Sequence, residues 1–580
     1  MSFLRNTFMN AYKGRVYPNY WDILALLFAL GLIALLAWQA KQMTVPYHLG
    51  QLIPISLDPQ NLPKYALRTV SRMLIALFFS LLFTFIFGTW AAKNKRAERI
   101  IIPVIDILQS IPILGFLSIT IVGFIALFPG SLLGPECAAI FVIFTSQAWN
   151  MALGFYQTVR SVPTELLDAA NMFHLSAWQR FWRIDVPFSM PGLLWNTMMS
   201  MSAGWFFVVA SEAVSVANQD ILLPGIGSYI ALAIKAMNMK AIFYAIITML
   251  IVILIYDQLL FRPLVAWAEK FKAEQVGEDR EVRSWVIDLF HRTRLLRIVG
   301  QKFNQLFDGF VNFALFRTRF RVKEKFKIVR RYDKLMGMIW DGLIFISVAS
   351  VVLFAIYYVL HNVPFSEVKH VFYLGLITAF RVIVLIILCS LLWVPIGVWI
   401  GLRPNVAQVV QPIAQFLAAF PANLLYPFVV IFIVTYHLNV NVWVTPLMIL
   451  GTQWYVLFNV IAGASVLPKD LLQVADNLGL NVWLRWRRLI LPGIFPYYMT
   501  GAITAAGGSW NASIVAEVVE WGHTKLVATG LGAYITEFQA AGDFMHVGLG
   551  IGMMCILVLI LNRLVWRPLY VLAETRYQLL

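Results

Sequence analysis

The sequence predicts an all-α membrane protein of about 12 transmembrane helices in two tandem six-helix repeats. Three observations carry that prediction. The composition is too poor in charge for a water-facing surface, apolar runs recur at membrane-spanning length, and the second half of the chain matches the first.

Of the 580 residues, 60% are hydrophobic and 13% charged, against about 25% charged in a soluble domain. A single large soluble core is excluded, because such cores stop growing near ~250–300 residues. The net charge of +16 does not indicate nucleic acid. The basic residues cluster between apolar spans, as they would beside an anionic cytoplasmic leaflet. Cys137, Cys389 and Cys555 lack ligand spacing, so neither a disulfide framework nor a metal site is implied. Residues 1–21 are polar and read as a cytoplasmic N-terminus. The run from Ile23 to Trp38 has no small-residue cleavage site and reads as an uncleaved first helix.

A helix needs ~20 apolar residues to cross a bilayer. Spans fall near 22–40, 70–91, 104–128, 134–156, 188–211 and 239–260, then 338–360, 373–401, 412–435, 440–462, 491–515 and 543–565. This divides the chain into a first six-span unit at 22–261, a basic linker at 262–335 and a second unit at 336–580. The even count places both termini on one side. The Lys93–Arg96 loop, the Arg180/Arg183 and Arg485/Arg487/Arg488 segments and the linker share that side, which the positive-inside bias makes the cytoplasm.

The repeat appears at an offset of 305 residues, where Pro163 pairs with Pro468, Ala170 with Ala475, Trp178 with Trp483 and Pro187 with Pro492. The same offset pairs Trp205 with Trp510, Glu212 with Glu517, and Gly225 and Gly227 with Gly530 and Gly532. Upstream, Arg72/Arg381, Gly88/Gly397 and Pro112/Pro421 give 309, and Trp21/Trp340 gives 319. The second copy is therefore shorter in two expected external loops, where length changes are tolerated. Six spans per copy give both copies one orientation and predict a pseudo-twofold axis along the membrane normal, with a pathway between the copies.

The loop between spans four and five carries most information. It runs over residues 162–187 in copy one and 467–492 in copy two. Pro163 suits a helix start, Glu165 and Asp168 favour its first turn, and Leu166, Leu167 and Ala170 share a face. The pattern is that of a short amphipathic helix able to enter a groove on a partner.

This loop resembles the EAA motif of binding-protein-dependent ATP-binding-cassette (ABC) importer permeases. Copy one supplies Asp168-Ala169-Ala170, His174 at the usual glycine, then Ile184, Val186 and Pro187. Copy two supplies Gln473-Val474-Ala475, Gly479, Leu489, Leu491 and Pro492, with Asp470 at the position of Glu165. The resemblance covers both units and implies a type I importer fold in which these loops are coupling helices docked on ATPases. No phosphate-binding G-x-x-x-x-G-K-[ST] motif occurs in the sequence. Two separate cytoplasmic ATPase chains, carrying ATP and Mg, and an external solute-binding protein are therefore implied. The chain itself is expected to do no chemistry and to hold no cofactor. Pro112, Pro421, Glu212, Glu517 and the two Gly-x-Gly stretches resemble the nitrate/sulfonate/bicarbonate branch, whose duplicated permeases the whole chain resembles. That implies a small anion as solute in a bacterial-type inner membrane. Ferric iron and thiamine permeases share the layout, and an ion-gradient-driven secondary transporter is the alternative from another class.

Polar groups inside spans are costly and face a cavity or a partner helix. The pathway candidates are Gln147, Trp149 and Asn150 in span four, Gln453 and Trp454 in its repeat, and Trp205, Trp510 and Asn511 in the fifth spans. Their N–H groups can donate to an anion without a buried cation; interhelical bonding is the competing role. Arg72 and Arg381 read as anion-attracting or as snorkelling to the outer interface. Glu212 and Glu517 read as anchors of the segment after span five. His174 reads as a packing substitution, and Asp106 and Gln109 as an inner helix end or a gate. Trp285, Leu289, Phe290, Leu296, Val299, Phe303, Phe307 and Phe310 recur at helical spacing in the linker, implying amphipathic helices in the inner interface.

Overall fold

The computed structural model describes residues 41–47, 53–216, 219–268, 293–312 and 361–576, with scattered positions in 23–34, 285–286 and 342–357. The expected first and seventh spans, the N-terminal segment and much of the linker lie outside these. Among the described residues, eight helices are long and apolar enough to cross a membrane. Copy one contributes α1 (Pro59–Lys93), α4 (Leu133–Arg160), α6 (Ala177–Glu212) and α8 (Met239–Ala268). Copy two contributes α10 (Phe365–Gly401), α13 (Val440–Ser465), α15 (Val482–Ala516) and α17 (Phe544–Ala573).

The third span of each copy differs from the expectation of one continuous helix. In copy one, α2 (Lys95–Ser110) stops before Pro112, a 3₁₀ turn covers Ile113–Phe116, and α3 (Leu117–Leu127) continues. In copy two, α11 (Pro404–Ala419) stops before Pro421, a 3₁₀ turn covers Ala422–Leu425, and α12 (Tyr426–Thr435) continues. The legs meet at 86° and 77°. Pro112 and Pro421 take extended backbone, which ends the incoming helix and starts a new N-terminus in mid-span. Asp106 and Gln109 are accordingly exposed on α2 just before this break, not at the inner end of a continuous span.

Proline shapes the other spans more gently. Single π-helical turns occupy Phe181–Asp185, Asp257–Phe261, Trp486–Ile490 and Asn562–Trp566. Each ends two residues before a proline: Pro187, Pro263, Pro492 and Pro568. A proline lacks the N–H for the i−4 carbonyl and its ring crowds that carbonyl, and a widened turn relieves both without ending the helix. These turns recur at the 305-residue offset.

After the fifth span each copy forms a short antiparallel hairpin, β1 (Ala213–Val216) with β2 (Gln219–Leu222) and β3 (Val518–Trp521) with β4 (Thr524–Val527). Short helices α7 (Ile226–Lys235) and α16 (Leu531–Ala541) follow. The coupling loops contain α5 (Thr164–Met172) and α14 (Lys469–Asn477), and the linker contains α9 (Arg294–Val311).

Contacts divide the chain into two compact units that cut across the repeat. One holds the described residues of 158–194 and 255–323 together with the few before residue 43. Here the apolar side of α9 packs on the copy-one coupling segment. Phe310 lies edge-on to Trp178 at 5.1 Å, Phe307 edge-on to Trp182 at 5.4 Å, and the Trp178 indole N–H donates to the Phe310 carbonyl. Part of the linker's apolar face is thus taken by protein, where the sequence suggested the lipid interface. The other unit holds the described residues of 43–157, 195–254 and 324–580. The buried ion pairs, the cavities and the second coupling loop all lie in this second unit.

Candidate functional site

Buried ion pairs tie the fifth span of each copy to the second. Glu212 and Arg72 are both fully buried. The Arg72 Nη1 donates to Glu212 Oε1 at 2.6 Å, and its Nε and Nη2 donate to the Glu136 carboxylate at 2.5 and 2.7 Å. Thr69 Oγ1 donates to Glu212 Oε1 at 2.7 Å, and the Gly227 N–H donates to Oε2 at 2.7 Å. In copy two, Glu517 accepts from Arg381 at 2.8 Å, Thr378 at 2.9 Å and the Ala533 N–H at 3.0 Å. Glu136 is replaced there by Asn441, which accepts from Arg381 Nη2 at 3.0 Å.

The anchoring role expected for Glu212 and Glu517 is therefore seen. Arg72 and Arg381 neither snorkel nor face solvent, because carboxylates compensate them inside the bundle. The span that the sequence places at 70–91 begins earlier, and Arg68 lies buried inside α1.

Two cavities lie between the copies. The smaller, about 60 Å³, is lined by Phe206, Phe207, Trp454, Tyr455 and Asn511, with Ala203 opposite Gly508. The larger, about 340 Å³, is lined by Leu114 and Asn423, Leu117 and Tyr426, Val209 and Ile514, among others. Each of these pairs is related by the repeat offset. The larger cavity, lined by equivalent third- and fifth-span residues of both copies, lies at their pseudo-twofold axis, whereas the smaller takes its third- and fourth-span lining from copy two alone. Crossed contacts agree: the Ile113 N–H donates to Asn511 Oδ1 at 2.6 Å, and Asn423 Nδ2 donates to the Phe206 carbonyl at 3.4 Å. The third-span break of each copy thus touches the fifth span of the other.

Of the pathway candidates, Asn511 and Trp454 line the smaller cavity. The others do not line either cavity. The buried Gln147 amide lies 3.0 Å from the Met201 sulfur and accepts from Ser80 at 3.3 Å. Asn150 donates to Ser200 at 3.0 Å, Gln453 accepts from Trp393 at 3.1 Å, and Trp149 is edge-on to Phe83. Trp205 and Trp510 are buried in helix packing. Those residues bond or pack between helices. Sequence reasoning missed Phe206, Phe207, Asn423 and Tyr426. The available signal was repeat position: Phe206 is the counterpart of Asn511, and Tyr426 of Leu117.

The coupling helices share one geometry. Ala170 and Ala475 are buried, while Glu165, Asp168, Asp470, Gln473 and Val474 are exposed and Ala169 is half-buried. Each helix closes with a left-handed residue, His174 at φ 54° and Gly479 at φ 59°. The Leu175 and Leu480 N–H groups then return to the Ala170 and Ala475 carbonyls at 3.0 and 3.1 Å. That closure explains the usual glycine, which has no Cβ to strain there. His174 is thus a turn residue under strain, where the sequence suggested packing. Met172 and Phe173 are about four-fifths exposed at the tip of α5, and Leu478 is exposed beyond α14.

Among the described residues no group of His, Cys, Asp or Glu could hold a metal. Broken third spans, crossed third-to-fifth contacts and a cavity lined by both of two like-oriented copies define a membrane transport permease with its dimer fused in one chain. The chain belongs to the family of binding-protein-dependent transport system inner membrane components, the ABC importer permeases, which matches it twice, at residues 84–261 and 393–577. It is 26% identical over 193 residues to the glycine betaine/carnitine transport permease protein GbuB of Listeria monocytogenes, covering 33% of this chain and 63% of that protein. It is 27% identical over 185 residues to the nitrate import permease protein NrtB of Leptolyngbya laminosa, covering 32% and 63%. It is 27% identical over 150 residues to the bicarbonate transport system permease protein CmpB of Synechococcus elongatus, covering 26% and 51%. The chain thus spans between half and two thirds of the length of these relatives.

Proposed function

We propose that this chain forms the complete translocation pathway of an ATP-driven importer for a small anion. The observation that supports the pathway is the larger cavity, lined by repeat-equivalent residues of both copies, with a smaller one between the two fifth spans. In copy two, α15 joins the two ends of the device. It begins beside the coupling helix and presents Gly508, Asn511 and Ala512 to the smaller cavity. Closure of two partner ATPases would press on α5 and α14 and reach the cavity along the fifth spans. The exposed apolar tips of both coupling segments suit burial on such partners. ATP and Mg would be bound by the partner chains. An external binding protein would deliver the solute, with both termini of this chain cytoplasmic.

The anion reading is supported by the nitrate and bicarbonate permeases among the relatives. A second reading is favoured by the smaller cavity's lining. Its aromatic residues and absence of charged ones suit a quaternary ammonium, attracted to ring faces. The glycine betaine relative points the same way.

The test is purification with its partner ATPases and binding protein, reconstitution in proteoliposomes, and measurement of ATP-dependent uptake. Uptake that needs ATP and the binding protein is the expected result. Uptake by the chain alone, driven by an ion gradient, would overturn the reading.

A further inference from the structure

Resting on the permease reading, we propose that the transported solute is held on one half only, at the broken third span of copy two. There Tyr426 and the N–H groups of the turn at Ala422 receive an anionic oxygen, and Asn423 receives a hydrogen-bond donor of the same molecule.

A helix that restarts in mid-span leaves its first N–H groups unbonded and its positive dipole end in the membrane. Both broken spans do this at the pseudo-axis, but among the described residues only that of copy one receives a side-chain cap. The Ile113 N–H of copy one is taken by Asn511 Oδ1. The equivalent of Asn511 is Phe206, which has no side-chain acceptor to offer Ala422. Beside this uncapped turn are two further unsatisfied groups. The Tyr426 hydroxyl belongs to a side chain only 5% exposed, lines the larger cavity and has no hydrogen-bond partner. Asn423 Oδ1 is also buried without a partner, while its Nδ2 is committed to the Phe206 carbonyl. Tyr426 begins α12 one turn after Ala422; Tyr426 and Asn423 line the larger cavity and Ala422 the smaller one.

Unpaired buried polar groups are costly and mark where a ligand completes the bonding. A helix N-terminus with a phenolic donor suits an oxyanion. Asn423 Oδ1 is an acceptor and repels a bare anion at close range. The solute satisfying all three groups carries both an anionic oxygen and its own O–H or N–H. Hydrogencarbonate and aminoalkanesulfonates have this chemistry; nitrate and glycine betaine lack the donor. Copy one offers no second subsite, because Leu114 and Leu117 replace Asn423 and Tyr426.

The experiment uses the full chain with its ATPases and binding protein in proteoliposomes, with taurine, hydrogencarbonate, nitrate and glycine betaine as labelled probes. The wild type is expected to take up taurine or hydrogencarbonate. Tyr426→Phe is expected to raise KM at least tenfold, and Asn423→Leu likewise, while Tyr436→Phe, at an exposed tyrosine, changes it less than twofold. Co-purification of each variant with the ATPases reports folding; if Tyr426→Phe fails to assemble, Asn423→Leu carries the test. Unchanged KM in an assembled Tyr426→Phe or Asn423→Leu overturns the subsite. Uptake of nitrate or glycine betaine alone, or of none of the four while the binding protein still stimulates ATP hydrolysis, overturns the solute class. Absence of any ATP coupling overturns the permease reading instead.

Discussion

A β-carbon on Gly225 would lie 2.2 Å from the carboxyl carbon of Glu212. The same holds in copy two, where one on Gly530 would lie 2.4 Å from the carboxyl carbon of Glu517. Gly225 has φ −178°, which any residue adopts, so the requirement is space and not backbone freedom. Gly225→Ala should force Glu212 off Arg72 and strand a buried charge, costing about 3–5 kcal/mol. A lowered unfolding midpoint in detergent, matched by Gly530→Ala, is the expected measurement. An unchanged midpoint would show that the carboxylate is free to move.

The two ion-pair clusters are each charge-balanced in a different way. Copy one has Arg68 and Arg72 against Glu136 and Glu212, and Arg68 lies within electrostatic reach of Glu136. Copy two has Arg381 against Glu517, with Ile377 and Asn441 at the positions of Arg68 and Glu136. Glu136→Asn alone should destabilise by about 3–5 kcal/mol, since it leaves two buried guanidiniums facing one carboxylate. Adding Arg68→Ile should recover part of that loss, with a coupling of about 0.5–3 kcal/mol in a double-mutant cycle. Strictly additive midpoints would refute the compensation.

His174 occupies a backbone region that costs a non-glycine residue about 1 kcal/mol. His174→Gly should therefore slow hydrogen exchange at the end of α5. Gly479→Ala should speed it at the end of α14, although a β-carbon there meets no atom within 4 Å. Opposite signs at equivalent positions separate backbone strain from packing.

The linker helix α9 is held by Trp178 and Trp182, whose ring pairs with Phe310 and Phe307 each contribute about 0.5–1.5 kcal/mol beyond area burial. The joint variant Trp178→Ala/Trp182→Ala should raise hydrogen exchange in 294–311 on the order of tenfold or more. Unaltered exchange would mean that α9 is held elsewhere.

Legibility of the sequence divided by kind of information. The repeat, most span positions and the coupling loops were readable, because each rests on local periodicity, polarity or register along the chain. The left-handed closure at Gly479 was implied by its glycine, but His174 concealed the same turn. Breaks in the third spans were not readable. Pro103, Pro191, Pro412 and Pro496 lie inside continuous helices, whereas Pro112 and Pro421 end theirs. Proline within a membrane span is tolerated when neighbours satisfy the freed carbonyls, so its presence alone does not distinguish a bend from a break.

The sequence by itself determined that the chain holds two tandem copies of one permease unit and that each carries a short helix between its fourth and fifth spans. Only the tertiary structure decided which polar side chains meet at the axis. Gln147 and Asn511 both carry a side-chain amide within an apolar span, yet one bonds between helices and the other caps a broken helix beside a cavity. The difference is the rotation of each helix about its own axis, which is fixed by partners distant in the chain and leaves no mark in local pattern.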